Sequence, residues 1–372
     1  MSLLDFPSAK SEGWRWSDLS ALPALAEAAQ GAFDLQRLQL PWLDCSGPRL
    51  LFVNGSLNAP HSELGPLSIG PVATEASAHP LGRLVGREGW TLRLGPDGSA
   101  PGLIQIVHVS TGGADHLPAA IALAEDAQAS IVETFVGEGW ANRLTRIALG
   151  PHARLMLARR ILSTGGFVSL TDRAALGEGA SLVVTALAAG GSDTRFDGEI
   201  ILNGEGGYAE AGGALLATDR GRHDANFVVR HAAPGGTSRQ VWRSVADGRA
   251  TCSVAARVEV ARDAQKTDGE QSLKGLLLSR AATINAKPEL EIFADDVKCA
   301  HGATVGALDQ GALFYLASRG VPEAEAKALL TNAFVADAID RIGEPQVRDA
   351  FGKDATSWLD GASPLAQAGE GL

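Results

Sequence analysis

A short unit recurs along the middle of the chain, and this repetition constrains the fold more than any other feature of the sequence. From about residue 103 to residue 306, a turn rich in Gly, Asp or Pro is followed by a small residue and then by a run that alternates apolar and polar side chains. Such alternation is typical of a half-buried β-strand. Examples are EDAQASIVETF, LGPHARLMLAR, LGEGASLVVTA, LNGEGGYAEAG, VADGRATCSVAARVEV and LSRAATINAKPEL.

The small residue at the start of each unit gives the period of the repeat. The markers, with successive spacings of 24, 27 and 27 and then of 18 and 21, are Ala129, Ala153, Ala180 and Gly207, followed by Ala264, Ala282 and Ala303. Repeats of this size, built of strands and turns without a helix of 10 to 15 residues, indicate stacked coils. We therefore predict a mainly β chain with a β-solenoid core, and assign Val183 to its inward face. An antiparallel β-sandwich with irregular hairpins stays open as the alternative.

The chain divides into three predicted segments. Residues 1–85 form an N-terminal helical or mixed segment, because Ser17 or Asp18 can cap a helix that runs through ALPALAEAAQGAF. Residues 86–306 form the β-helix core. Residues 307–372 form a C-terminal helical domain, because the hydrophobic period changes from two to that of a helix.

An apolar stripe runs along the C-terminal helical pattern. Its members, most of which share one helix face, are Leu329, Leu330, Phe334, Ala338 and Ile342. We expect this stripe to pack on the end of the solenoid as a cap. A docking face for a partner helix is the second possibility, and both can hold at once.

Charge and hydropathy exclude several classes of protein. The formal net charge of −11 disfavours binding to nucleic acid or to anionic lipid. The N-terminal stretch MSLLDFPSAKSEGWRW lacks the basic and apolar regions of a secretory signal, and no run approaches 18 apolar residues. We therefore expect a cytoplasmic protein without membrane contact.

The cysteines do not form a recognisable framework by themselves. Cys45, Cys252 and Cys299 are odd in number, far apart and outside any CxxC pair. This spacing excludes a disulfide framework and a site of four thiolates. Any metal chemistry has to use a sparser set of ligands.

The densest group of ligand-type residues is the run DDVKCAHG at residues 295–302. On a strand, Asp295, Cys299 and His301 would point to the same side. A thiolate and an imidazole suit iron, zinc or copper, but two ligands do not complete a site. A water, a sulfide or a second chain would have to supply the rest. A buried cysteine beside a hydrogen-bonded histidine is the alternative without a function.

Other candidate groups give weaker signals. His223 and His231 flank DANFVVR without a neighbouring cysteine or carboxylate, which favours a surface or structural role. Glu289 and Glu291 share a strand face and could act as an acid/base pair, although a solvated edge strand accounts for them as well. The Gly-rich run at residues 203–207 does not match a phosphate-binding loop, so we predict that this chain binds no nucleotide.

Two segments resemble the signature of the SufB/SufD family of iron-sulfur cluster assembly proteins. They are KPELEIFADDVKCAHGATVG at residues 287–306 and LFYLASRG at residues 313–320. EGWRWSDL at residues 12–19 is similar to the N-terminal motif of the same family. CAHGAT at residues 299–304 resembles the Cys-Ser-His-Gly form of the SufD branch more than the His-Glu-Ala-Thr form of SufB. Compared with the family, the N-terminal part of this chain is short.

The resemblance implies a fold and a role. The fold is a right-handed parallel β-helix with helical segments at both ends. The role is that of a non-catalytic scaffold subunit, which pairs with SufB or with itself through the end of the β-helix and binds the ATPase SufC through its C-terminal helices. His301, with a cysteine of SufB, would handle iron or a transient iron-sulfur cluster at the subunit interface. Cys299 is a second metal candidate, with a structural role also open.

A different class of function remains possible from the residues alone. A stand-alone metalloprotein or metal-dependent hydrolase would use Asp295, Cys299 and His301 together on one chain. It would bind metal without a partner, whereas a scaffold subunit would need its complex. A carbohydrate-binding β-helix is disfavoured, because the sequence shows no secretion signal and few aromatic residues.

Overall fold

Parallel strands stacked in successive coils make up most of the molecule. The structure, a computed structural model, describes residues 6–32, 39–73 and 78–361, so the outermost parts of the predicted end segments lie outside the described residues. The strands are β1 (Arg49–Val53), β2 (Ser56–Leu57), β3 (Leu67–Pro71), β4 (Glu88–Leu94), β5 (Ile104–Leu123), β6 (Gln128–Leu149), β7 (Arg154–Ile161), β8 (Phe167–Leu176), β9 (Ser181–Ala188), β10 (Asp193–Leu202), β11 (Tyr208–Ala217), β12 (Arg222–His231), β13 (Thr237–Ala246), β14 (Thr251–Val260), β15 (Asp268–Leu277), β16 (Thr283–Ile292) and β17 (Lys298–Ala307). The helices are α1 (Leu22–Glu27), α2 (Gln310–Ser318), α3 (Glu323–Ile339) and α4 (Pro345–Leu359).

From β6 onward, each strand pairs with the strand two places along the chain, which produces two faces. Face A contains β1, the first halves of β5 and β6, and then β7, β9, β11, β13, β15 and β17 in parallel register. Face B contains β4, the second halves of β5 and β6, and then β8, β10, β12, β14 and β16. The predicted β-solenoid is therefore confirmed, with about eight turns. The antiparallel sandwich is excluded, because these ladders are parallel.

The coils are longer and more regular than the sequence markers indicate. From β7 onward, the strands of face A begin at residues 154, 181, 208, 237, 268 and 298, with spacings of 27, 27, 29, 31 and 30. The shorter spacings taken from Ala264, Ala282 and Ala303 are wrong as a period. Ala264 precedes β15 on face A and Ala282 precedes β16 on face B, so those markers mix the two faces of one coil.

Inward side chains of the two faces meet in one continuous hydrophobic core. Phe196, Phe227 and Trp242 pack there, with the two Phe ring centroids 4.7 Å apart and edge-on. On β9, Leu182 and Val184 are buried in this core, whereas Val183 lies between them and is half-exposed. The inward assignment of Val183 is therefore wrong by one residue, which reverses the face in a strand.

The C-terminal helices cover the outer side of face A. Val335, Ile339 and Phe351 are buried against apolar side chains of that face, such as Ala158 and Val245. The expected cap on the solenoid end is therefore wrong, since the outward side chains of face A are themselves apolar and need cover. Of the predicted stripe, only Ala338 and Ile342 are buried, while Leu329 is 50% exposed.

A buried ion pair attaches the last helix to the solenoid. Arg160 of β7 donates from Nε to Asp354 Oδ2 at 2.7 Å and from Nη2 to Asp354 Oδ1 at 3.0 Å. Both side chains are almost completely buried. Arg160 also donates to the carbonyl oxygen of Pro41 at 3.2 Å, so one guanidinium joins strand, helix and N-terminal segment. Such bidentate geometry fixes the relative orientation of the two side chains as well as the distance between them.

The first residues of the N-terminal segment lie against the outer side of face B. Trp14, in the short helical turn Glu12–Trp14, is buried beneath Arg195, whose guanidinium carbon lies 4.5 Å from the ring centroid. Arg195 also donates to the carbonyl oxygen of Gly13 at 2.7 Å and to Ser17 Oγ at 3.0 Å. The EGWRWSDL motif therefore serves to dock the start of the chain on β10.

Two histidines of β12 are buried in the solenoid interior. His223 Nε2 donates to the carbonyl oxygen of Leu216 at 3.0 Å, and His231 Nε2 lies 2.8 Å from Ser238 Oγ. Burial lowers the pKa of both imidazoles to about 4. These residues are neutral core groups at pH 7, in agreement with the structural role favoured from the sequence.

Removing Asp354 tests the attachment of the helices. Asp354→Ala leaves the Arg160 guanidinium buried without its partner, which we expect to lower the free energy of unfolding by about 3–5 kcal/mol. Lys327→Ala, which breaks the exposed pair between Lys327 and Glu323, is the control and should leave stability unchanged. Denaturant unfolding followed by circular dichroism measures both. Equal effects of the two variants would contradict the role assigned to the pair.

The buried histidines should make the free energy of unfolding depend on pH already above the range in which carboxylates titrate. Their folded pKa of about 4 lies below the unfolded value of about 6.5, so the unfolded chain binds more protons in between, and stability falls as pH drops through this window. Each histidine accounts for up to roughly 3 kcal/mol. In His231→Gln, the slope of stability against pH between 6.5 and 4 should decrease. His152→Asn, at an exposed turn, should keep the wild-type slope, and an unchanged slope in His231→Gln would refute the assignment.

Candidate functional site

The last coil of the solenoid carries both predicted metal ligands. Cys299 and His301 lie on β17, two residues apart, so they share one side of the strand. Their register partners on β15 are Gly269 and Gln271, which places them on the inward side of face A. The structure therefore brings these two residues together at the end of the core.

Cys299 lies partly inside the last coil. It packs beside Val258, Leu290 and Val297, and its neighbour Gly269 has no side chain to exclude it. A Cβ atom at Gly269 would lie 3.4 Å from Cys299 Sγ, in ordinary contact. Burial raises the pKa of the Cys299 thiol, and the nearby Asp268 carboxylate adds to the shift. The thiol is therefore protonated at pH 7, and a bound cation would be needed to draw off its proton.

His301 lies at the rim of the same coil and is exposed. Nothing of the described chain stacks beyond β17 on this side, because β17 pairs only with β15 there. An exposed imidazole at the end of a core can bind a metal ion without any rearrangement of the fold. The ring is thus accessible to a ligand or to a second molecule.

Asp295 does not join the two other predicted ligands. It lies in the turn between β16 and β17, before the strand begins at Lys298, so the alternation of a strand does not apply to it. Across residues 6–32, 39–73 and 78–361, no three His, Cys, Asp or Glu side chains come close enough to hold a metal ion. The three-ligand set that a stand-alone metalloprotein would use is therefore not assembled.

The end of the solenoid is an open, partly apolar surface. As far as the described chain extends, β16 pairs only with β14 and β17 only with β15, so each leaves one edge of backbone groups without a strand partner. Exposed apolar side chains accompany these edges, namely Ile292 (38%), Phe293 (60%) and Val305 (44%). An unpaired strand edge with apolar neighbours favours association with another chain.

The carboxylate pair considered for acid/base chemistry has other partners. Glu289 accepts from Lys287 Nζ at 3.1 Å and from Arg257 Nη2 at 3.5 Å, while Lys287 also binds Glu12 at 2.6 Å. These contacts form an ionic ladder across the outer side of face B, as expected for a solvated edge strand. They give no sign of an acid/base pair.

Two residues near the site escaped the sequence analysis. Gln240 and Gln271 occupy the same inward register row as His301, and both are buried. The signal was present in the alternation, because Gln240 shares a face with Trp242 and Gln271 shares one with Leu273. Glutamine at inward positions of a strand is unusual enough to mark a special site.

No described helix is both long and apolar enough to cross a bilayer.

Comparisons with known proteins identify the family. A family model described as SUF system FeS cluster assembly, SufBD core domain, matches residues 108–334, well over half of the chain and including β17. The iron-sulfur cluster assembly protein SufD of Escherichia coli is 30% identical over 225 residues, which cover 59% of this chain and 53% of that protein. An iron-sulfur cluster assembly SufBD family protein of Synechocystis is 31% identical over 202 residues, covering 54% and 45%.

A plant protein shows the same similarity over a shorter stretch. The chloroplastic protein ABCI7 of Arabidopsis thaliana is 36% identical over 126 residues, which cover 34% of this chain and 26% of that protein. The chain spans about half the length of the two bacterial relatives. The matched model, the parallel solenoid and the similarity to SufD agree, and the chain belongs to the SufB/SufD family of iron-sulfur cluster assembly proteins.

Proposed function

We propose that this chain is a SufD-type scaffold subunit that helps to assemble iron-sulfur clusters in a complex with SufB and SufC. The observation that carries the proposal is the open last coil, where His301 stands at the rim with too few ligands around it to bind iron alone. A second subunit that stacks on this end completes the set. Iron and the forming cluster are cargo in this scheme, and the chain itself performs no turnover.

Two physical interactions favour the stacking of a second subunit on the open end. Strands of a second solenoid extend the hydrogen-bonded ladders of β16 and β17, and the same contact covers Ile292, Phe293 and Val305. A SufB-type partner brings a cysteine thiolate close to the His301 imidazole. Thiolate and imidazole together are ligands that suit iron. A second copy of this chain is the partner in the absence of SufB.

Cys299 is proposed as the second group of this chain that meets the metal. It lies two residues from His301 on the same side of β17, although it is more enclosed. Iron at the rim would lower the pKa of its thiol, which burial now holds above the usual value. Without iron, Cys299 packs as a small apolar side chain of the last coil.

The C-terminal helices form a separate surface, which we assign to SufC. Their outward side carries Phe314 (76% exposed), Tyr315 (53%) and Leu329 (50%). Exposed aromatic side chains of this size favour a protein contact. The pair between Arg160 and Asp354 attaches α4 to β7, so movement of an ATPase bound to these helices would be passed to the solenoid through α4. In this division the ATPase binds nucleotide and this chain binds none.

The proposal includes the division of the chain and its location. Residues 86–306 are the scaffold, residues 307–372 dock the ATPase, and residues 1–85 hold the start of the chain on the solenoid, through Trp14 on face B and through β1 on face A. The net charge of −11 fits a cytoplasmic complex that contacts neither nucleic acid nor membrane. A metal-dependent hydrolase remains the alternative from a different class, but no geometry favours it, because Asp295, Cys299 and His301 do not form a cluster.

Substituting the exposed histidine tests the assignment. In His301→Ala, we expect the complex isolated from its own cells to keep its three kinds of subunit but to lose at least about tenfold in bound iron and cluster, since even outer partners of a metal ligand are worth 10–100-fold. Subunits are counted by mass spectrometry of the intact complex, and iron and sulfide by chemical analysis. The chain should fold normally, because the removed ring is exposed.

The matched control is Thr304→Ala, an exposed residue of the same strand whose side chain points the other way. It should change neither subunit composition nor iron content. An undiminished cluster in His301→Ala would contradict the role of the imidazole. A chain that never associates with a SufC-like ATPase would contradict the scaffold assignment.

A further inference from the structure

One row of inward side chains changes character as it approaches the open end. On face A, Cα register connects Leu157, Val184 and Ala211 in successive coils, and all three are buried and apolar. The same row continues through Gln240 of β13 and Gln271 of β15 and ends at His301 of β17. The apolar row of the middle coils therefore gives way to three stacked polar side chains in the last coils.

The two glutamines have unsatisfied hydrogen-bonding groups. Gln240 is fully buried and donates from Nε2 to the carbonyl oxygen of Arg257 at 3.0 Å. Its Oε1, together with both Oε1 and Nε2 of Gln271, makes no hydrogen bond to any part of the chain that the structure describes. Gln271 is only 1% exposed. A buried amide without partners is strongly unfavourable, so these three atoms call for a physical account.

We propose that Gln240, Gln271 and His301 form one side-chain hydrogen-bond ladder, in which Gln271 Oε1 accepts from an imidazole N–H of His301 and fixes the tautomer of that ring. In this ladder Gln271 Nε2 donates to Gln240 Oε1. The bond from Gln240 Nε2 to the Arg257 carbonyl anchors the inner end. Every unsatisfied atom of the row then has a partner.

The geometry of the solenoid places neighbouring members of this ladder close together. Residues paired in register on adjacent parallel strands lie about 4.8 Å apart, which is the spacing at which stacked glutamine amides bond along the stack. The terminal torsion of an amide side chain is soft, so its rotation closes the ladder without moving the backbone. Inside a core of low polarity, each such bond also polarises the next.

The ladder makes Gln271 a positioning residue for His301. With one ring nitrogen donating inward to Gln271, the other nitrogen directs its lone pair toward the open end of the solenoid. Histidines that bind metals commonly hold their second nitrogen in this way. The inference deepens the proposed function, and it rests on that proposal only for what the outward nitrogen binds.

Nitrogen NMR of the iron-free chain tests the ladder directly. With ¹⁵N-labelled histidine, and His301 assigned by its loss in His301→Ala, the wild-type ring should show a single neutral tautomer at pH 8 with an N–H that exchanges slowly. In Gln271→Leu, the ring should become a mixture of tautomers and the slow N–H should disappear. Glu270→Gln, the neighbouring outward position, is the control and should match the wild type. A tautomer mixture in the wild type would overturn the proposal.

Thermal unfolding supplies a second test, because a ladder and an isolated amide predict changes of the Tm in opposite directions. If the ladder exists, Gln271→Leu leaves Gln240 Oε1 unpaired and lowers the Tm by about 2 °C or more. If the amide is isolated, the same substitution removes an unfavourable buried group and raises the Tm, which would overturn the proposal. A cycle with Gln240→Leu and the double variant should show that the two effects are not additive. Additive effects would count against the ladder.

These tests use the chain without iron or partners. If the ladder is absent, the expected loss of iron in His301→Ala still holds. If the ladder is present but His301→Ala keeps a normal iron content, only the proposed function is refuted.

Discussion

From β6 onward, the parallel pairing of each strand with the strand two places along the chain is the constraint on which the structure depends. Every inner coil finds hydrogen-bond partners for its backbone on both sides, and the register keeps one row of side chains inward through successive coils. The last coil has a partner on one side only. At the last coil, backbone edges, core side chains and solvent therefore meet, and the two candidate ligands lie there.

The C-terminal helices pack on the side of the solenoid, which keeps its last coil accessible. The outward side chains of face A are apolar, and α3 and α4 cover them instead of closing the last coil. The Arg160–Asp354 pair fixes this arrangement in a buried setting, where loss of either partner is far more harmful than at a surface. The chain thus presents an open β-edge and an exposed aromatic helix surface. These two separate surfaces are the ones that the proposed function assigns to two different partners.

Much of the fold could be predicted from the sequence, because the turn and strand pattern repeats. The repeat favours a solenoid, the change to a helical period predicts the C-terminal helices, and alternation predicts the shared face of Cys299 and His301. The parallel direction of the strands was implied only by the family resemblance, because alternation alone left an antiparallel sandwich open. It was harder to predict which residues of a strand point inward. Val183 has apolar residues on both sides in SLVVTA, so alternation does not decide which of them points inward, and the packing of Leu182 and Val184 decides it.

Other errors came from features that a local pattern does not contain. Asp295 was assigned to a strand that begins only at Lys298. The direction in which the C-terminal helices fold back depends on the Arg160–Asp354 contact, whose partners are 194 residues apart in sequence. The stacking of Gln240, Gln271 and His301 requires the true coil length of 30 or 31 residues, which the sequence markers did not give.

Hydrogen exchange of the last two strands tests the central claim most directly. Backbone amides of β16 and β17 should exchange rapidly along their open edges in the isolated chain and become protected when the chain is incorporated into the proposed complex with SufB and SufC. Amides of β9 and β11 in the middle of the solenoid should be protected in both states. Protection gained elsewhere, with β16 and β17 exchanging as before, would show that the open end is not where a second subunit binds.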